Sequence, residues 1–216
     1  MAGQTTTKNL VHDGAITYPD DPEFGKASPS KIGMWLFLGT DAMSFSGLLL
    51  AYAVLRATAP ATNPWPVPEH ALGGVFLSGI MTFILICSSV SMVMTIDACK
   101  RRDKQGIRNW LLATIIGGAV FLGIQVYEYI HLMTDLGMTF STYEHGNNLF
   151  SATFFSITGF HGLHVLSGVL YLCWMYKLAL EGRFDKGDYG MLEIVGLFWH
   201  FVDLVWILVF TFIYLV

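Results

Sequence analysis

After residue 31 the chain alternates between long apolar runs and short connections rich in proline, glycine or charge. A helix crossing a hydrocarbon core of about 30 Å takes roughly 20 mostly apolar residues. Five runs meet that length, at 32–55, 72–96, 110–133, 149–176 and 189–216. The connections carry strong stop signals, such as "APATNPWPVPEH" after the first run and the basic "CKRRDKQGIRN" after the second. The pattern predicts an all-α integral membrane protein, a single bundle of five transmembrane helices over 32–216. A polar tail, 1–31, precedes it, with Pro19, Pro22 and Pro29 and an acidic "DDPE". No charged segment leads into an apolar one there, so no cleavable signal peptide is predicted. The chain has no internal repeat, heptad array or low-complexity segment.

Composition strengthens the membrane assignment. Hydrophobic residues make up 54% of the chain and charged residues only 13%, where a soluble domain carries about 25%. The net charge of −4 comes without a basic patch clear of the membrane flanks, which argues against a nucleic-acid partner. Cys87, Cys99 and Cys173 lie in or beside apolar runs and read as small packing residues. With five spans, Lys8, Lys26, Lys31, the basic second connection, Lys177, Arg183 and Lys186 all fall on one side. Only Arg56 falls on the other. The positive-inside rule then predicts a cytoplasmic N-terminus and an external C-terminus.

Against that background the ionisable residues inside the spans stand out. Asp41 falls near the middle of the first span, His161 and His164 in the fourth, and His200 and Asp203 in the fifth. Glu128 lies toward the outer end of the third span, and Glu193 toward the inner end of the fifth. A charged group at mid-membrane costs about 2.5–3.5 kcal/mol on insertion scales, so each is expected to face protein and find a partner. Residues three apart share a helix face. His161 with His164, and His200 with Asp203, therefore predict two polar faces that meet if spans four and five pack antiparallel. Around Asp41, "LGTDAMSFSG" offers small residues for close approach and hydroxyls as partners. The tryptophans near span ends read as interfacial anchors.

Four readings of these groups compete: an interhelical hydrogen-bond network, a haem ligated by His161 or His164 opposite His200, a metal site, and a proton-exchanging carboxylate led by Asp41. The metal reading is weak, because no tight His/Glu/Cys set has ligand spacing. Three scattered cysteines cannot build a dinuclear thiolate-bridged copper centre.

Four segments carry a resemblance: "MWLFLGTDAMSFSGLLLAYAVL", "GIQVYEYIHL", "SATFFSITGFHGLHVLSGVLYL" and "LEIVGLFWHFVDLVWILVFTFIYLV". Together they resemble subunit III of the haem–copper terminal oxidases, in its five-helix bacterial form. "GFHGLHV" followed by Glu193 and "WHFVD-x-VW" is the most specific part. The resemblance implies a subunit of a proton-translocating oxidoreductase that is itself non-catalytic and holds no metal and no cofactor. The haems and copper belong to the catalytic subunit I, against which it packs. Subunit II, other oxidase or supercomplex subunits and membrane lipids complete the implied partners.

The implied role in aerobic respiration is to stabilise subunit I, support proton uptake and bind phospholipid, in a bacterial inner membrane. His161, His164, Glu193, His200 and Asp203 match the family directly, and with Asp41 and Glu128 they are the implied buried polar or proton-related positions; Lys177 lies close to where members place a basic residue near a lipid headgroup. At Asp41 the pair is "Thr-Asp" where cytochrome c oxidase members have "Ser-Glu" and quinol oxidases have Asp. "Gln125-x-x-Glu128-Tyr129" follows the cytochrome c oxidase pattern. Subunit III of a haem–copper quinol oxidase is thus the nearest alternative. A haem-b membrane anchor and a proton-coupled carrier are more remote.

Overall fold

A computed structural model describes residues 11–12, 15–16, 28–68, 72, 75–143, 146–185 and 187–216. Most of the tail expected over 1–31, with Lys8 and Lys26, lies outside the described residues, as does Lys186. Within the tail, β1 (Val11–His12) and β2 (Ala15–Ile16) pair antiparallel.

Five long helices follow: α1 (Pro29–Ala57), α2 (Phe76–Lys100), α3 (Lys104–Asp135), α4 (Asn148–Leu180) and α5 (Gly190–Val209). The last continues as one stretch of π-helix over Phe210–Leu215. All five are long and apolar enough to cross a membrane. The apolar runs located every one of them. Helices α1, α3 and α4 extend beyond their runs at both ends, because a helix continues into polar sequence until a cap stops it, whereas α2 starts at Phe76 and not at 72 and ends later, at Lys100. Ser28 caps α1 by accepting from Lys31 N–H, with Pro29 at the first helical position where its missing N–H costs nothing. Asn147 caps α4 by accepting from Leu149 N–H at 2.9 Å.

The largest departure is the basic connection expected over 99–109. It shrinks to Arg101, Arg102 and Asp103. Arg102 takes a left-handed φ of 57°, and Asp103 N–H closes the turn on Ala98 O at 2.9 Å. The Asp103 carboxylate then accepts from Gly106 N–H at 3.0 Å and starts α3. In the α3–α4 connection, Tyr143 is buried against Phe150, and that burial pushes its phenol pKa up.

The helices α2, α3, α4 and α5 form a closed ring, each packed on the next and α5 returning to α2. Helix α1 lies outside the ring on α4 and α5. It buries only Leu38, Asp41, Phe45 and Tyr52, a narrow stripe at helical spacing. Helix α5 buries about half of its length, including Trp199 and Trp206, both fully enclosed.

Trp199 fixes the ring at its centre. Its indole fills notches left by two glycines on neighbouring helices. A Cβ on Gly118 of α3 would come within 2.5 Å of the Trp199 ring, and one on Gly168 of α4 within 2.9 Å. Its N–H donates to Ser88 Oγ of α2 at 3.1 Å. One side chain of α5 thus touches all three of the other ring helices. Trp206 repeats part of this two turns later, donating to Thr82 Oγ1 of α2 at 2.9 Å. These two tryptophans are packing keys rather than interfacial anchors.

Candidate functional site

The buried polar residues form several separate contacts, each tying two elements together. Between α1 and α4, His164 Nε2 lies 3.2 Å from Asp41 Oδ1. His164 Nδ1 faces the Phe160 carbonyl at 2.8 Å, a contact that requires Nδ1 to be the donor. The Nε2···Oδ1 contact therefore holds one proton, on the imidazole or on the carboxyl. Phe45 and Phe160 pack their rings against His164, and Asp41 Oδ2 has no hydrogen-bond partner among the described residues. The hydroxyls around Asp41 do not reach it. Thr40, Ser44 and Ser46 bond carbonyls of their own helix at Phe37, Thr40 and Ala42, an alternative that short hydroxyl side chains commonly take in helices.

One turn earlier on α4, His161 points into the ring. It is fully buried, and its Nε2 donates to Val202 O of α5 at 3.2 Å. Its ring lies 4.9 Å from that of Trp206 and 5.7 Å from that of Phe121, between centroids. On the far side of α5, His200 Nδ1 and Ser89 Oγ of α2 are 2.5 Å apart. Asp203, three residues on, is buried, and the Ser89 side chain of α2 also lies against its carboxyl group.

The seam expected between spans four and five is therefore divided. His161 reaches α5, but through a backbone carbonyl. His164 turns to α1 and His200 to α2.

Glu128 of α3 is buried and accepts from Tyr214 Oη, on the π-helical segment, at 3.0 Å. Interhelical bonds of this kind are worth roughly 0.6–1.7 kcal/mol in membranes. Tyr214→Phe is therefore expected to destabilise the bundle by about 1 kcal/mol. Detergent-titrated unfolding checks it, and a loss above about 3 kcal/mol would mean that the segment depends on this bond far more than ordinary membrane bonds allow.

Gln125 donates to Thr158 O at 3.3 Å, and the Tyr129 and Thr158 hydroxyls are 2.7 Å apart. At the opposite end of the bundle Glu193, expected to be buried, is partly exposed and pairs with Lys31 of α1 at 2.8 Å, because it lies in the first turn of α5. Lys177 is exposed near the end of α4, one turn from exposed Trp174.

Sequence reasoning missed Ser88, Ser89, Thr82 and Tyr214 as partners, because nothing in an isolated hydroxyl indicates which helix faces it. Trp199 and Trp206 had a usable signal: both sit well inside the fifth apolar run, where an indole N–H needs an internal acceptor.

Chemically, the site can hold one proton between two side chains, at Asp41 and His164. Among the described residues no group of three or more His, Cys, Asp or Glu converges to hold a metal ion.

A profile of the family described as "Cytochrome c oxidase subunit III" matches residues 10–216. A protein of Synechocystis named "Cytochrome c oxidase subunit 3" is 38% identical over 184 residues, covering 85% of this chain and 74% of its own length. Proteins of the same name from Corynebacterium diphtheriae and Thermostichus vulcanus are each 36% identical over 185 residues. They cover 86% and 85% of this chain, and 87% and 86% of their own lengths, respectively. The five spans and the match over nearly the whole chain place it in the cytochrome c oxidase subunit III family.

Proposed function

We propose that this chain is the accessory subunit III of a proton-pumping cytochrome c oxidase in a bacterial inner membrane, with its N-terminus cytoplasmic. In this role it packs against the catalytic subunit I, with subunit II in the same complex. It stabilises subunit I during turnover, supports its proton uptake and binds phospholipid, with Lys177 near a headgroup. Electron transfer occurs in the partner subunits, which carry the haems and copper.

The observation that carries this reading is the family match from residue 10 to 216. The geometry is compatible with it. A haem anchor would use His161 or His164 opposite His200; all three are in contact with protein groups, and the His161 ring is enclosed by Phe121 and Trp206. The Asp41–His164 pair supplies a place where a proton is held but contributes no redox centre.

Affinity purification of the tagged chain from native membrane tests the proposal. A haem–copper catalytic subunit is expected to accompany it, with oxygen consumption driven by reduced cytochrome c. Recovery of the chain without any haem–copper subunit sinks the proposal. Activity with a quinol in place of cytochrome c assigns it to the quinol-oxidase branch.

Asp41→Asn keeps the side chain's size but removes its acid. The variant complex is expected to assemble normally and to lose activity sooner during sustained turnover, measured as the half-life of oxygen consumption. An unchanged half-life and unchanged proton pumping reduce Asp41 to a packing role.

A further inference from the structure

Helix α2 carries six hydroxyl side chains. Ser78, Thr82, Ser88, Ser91 and Thr95 each donate back to a carbonyl of their own helix or its cap, at Val75, Ser78, Leu85, Ser88 and Ser91 respectively. That is where such a proton commonly rests in a helix. Ser89 makes no such bond among the described residues. Its Oγ lies 2.5 Å from His200 Nδ1 of α5, and its side chain also lies against the Asp203 carboxyl. His200 and Asp203, three residues apart, share a face of α5. One hydroxyl therefore stands between an imidazole and an acid.

Asp203 is 5% exposed, and no other hydrogen-bond partner reaches either carboxyl oxygen among the described residues. The ionisable groups of the elements packed around it are engaged elsewhere. Asp41 of α1 faces His164 of α4, Lys31 of α1 pairs with Glu193, and His161 of α4 donates to the Val202 carbonyl. Between Phe76 and Ile96, α2 has no Asp, Glu, Lys, Arg or His. A carboxylate well inside a spanning helix with no cation beside it is costly, so the uncharged arrangement is favoured. In that arrangement the Asp203 O–H donates to Ser89 Oγ and the Ser89 O–H donates to His200 Nδ1, which leaves the imidazole proton on Nε2. Two short transfers, from the carboxyl to Oγ and from Oγ to Nδ1, would reverse the chain. They turn acid and neutral imidazole into carboxylate and imidazolium with the same number of protons.

We propose that Asp203, Ser89 and His200 form a second proton-holding site, in which Asp203 is a neutral acid and the Ser89 hydroxyl links its proton to the imidazole. It lies between α2 and α5, apart from the Asp41–His164 pair between α1 and α4. The site is built from this chain's own residues and does not rest on the proposed role in an oxidase.

Infrared spectroscopy of the purified complex at neutral pH tests it, read in the carbonyl-stretch region of protonated carboxyl groups. Subtracting the spectrum of Asp203→Asn from that of the wild type is expected to show one such band, which shifts down in D2O. Ser89→Ala removes the acceptor of the Asp203 proton and is expected to move the band to higher frequency. Ser89→Thr keeps a hydroxyl and is expected to return it. The band is expected to survive Asp41→Asn, which separates the two sites. Nitrogen NMR of the labelled histidines gives an independent reading. The His200 signal, assigned by its loss in His200→Gln, is expected to show the proton on Nε2.

Absence of an Asp203 band makes the group a carboxylate and overturns the proposal. A band that stays in place in an assembled Ser89→Ala complex leaves Asp203 unlinked to His200 and also overturns it. Should Ser89→Ala fail to assemble, the wild-type tautomer decides: a His200 proton on Nδ1 overturns the proposal, and one on Nε2 alone upholds it.

Discussion

Trp199→Ala is expected to lower the stability of the bundle by about 3–5 kcal/mol, the usual range for truncating a buried aromatic. In a membrane, moving an apolar side chain from lipid to protein gains little, because acyl chains are as apolar as the interior. What Trp199 contributes is dispersion contact in a close-fitting space, together with one hydrogen bond to Ser88. Truncation leaves the notches at Gly118 and Gly168 empty, and neither glycine has a side chain to refill them. Trp199→Phe separates the two contributions. It keeps most of the ring and removes the N–H, so it is expected to lose far less than Ala, on the order of 1–2 kcal/mol. Reversible unfolding in mixed micelles, followed by circular dichroism, measures both. Equal losses for Phe and Ala would place the energy in the hydrogen bond and contradict the packing account.

The second large effect is expected at His161. His161→Ala removes a fully enclosed ring from between Phe121 and Trp206 and is expected to cost about 2–4 kcal/mol. His161→Leu restores most of the volume. It leaves the Val202 carbonyl with its intrahelical bond, because a carbonyl oxygen has two lone pairs. Its cost is therefore expected to stay near 1 kcal/mol, and the assembled complex is expected to keep its visible spectrum. A lost Soret band in His161→Leu would instead make this imidazole a haem ligand. The contrast between Ala and Leu distinguishes a side chain retained for shape from one retained for its nitrogen.

The two predictions also show which parts of the structure hydropathy could reveal. Five apolar runs located five helices, because burial in lipid requires length and apolarity and both are written along the chain. Rotation about each helix axis is different. With apolar neighbours on every side, a lipid-facing residue and a core-facing one look alike in sequence. Exposed Leu163 and Leu166 flank buried Val165 with nothing in their chemistry to distinguish them. This is why His164 could be assigned to a spanning segment but not to Asp41, and why Ser89 could not be matched to His200. Glycines carried more information than they first offered. Gly118 and Gly168 mark where a neighbour intrudes, whereas a Cβ on Gly159 or Gly162 would meet α3 only at ordinary contact distance. Sequence alone does not separate the two kinds, since the difference lies in what stands opposite. The extension of α3 back to Lys104 was hidden for a related reason: its first turn is polar and leaves no apolar trace, although Asp103 caps it.

The outlying position of α1 sets the order in which the protein comes apart. Four closed helices share Trp199, whereas α1 rests on one stripe of four buried residues and a few polar ties at Lys31, Asp41 and Arg56. Partial opening proceeds through the element with the least to lose. Amide exchange is therefore expected to be faster in α1 than in α2–α5, which hydrogen–deuterium exchange followed by mass spectrometry would measure. Lifting of α1 would separate Asp41 from His164 and leave His161 enclosed in the ring. Contact of the polar pair with its surroundings would then be set by the opening of one helix, without unfolding of the bundle.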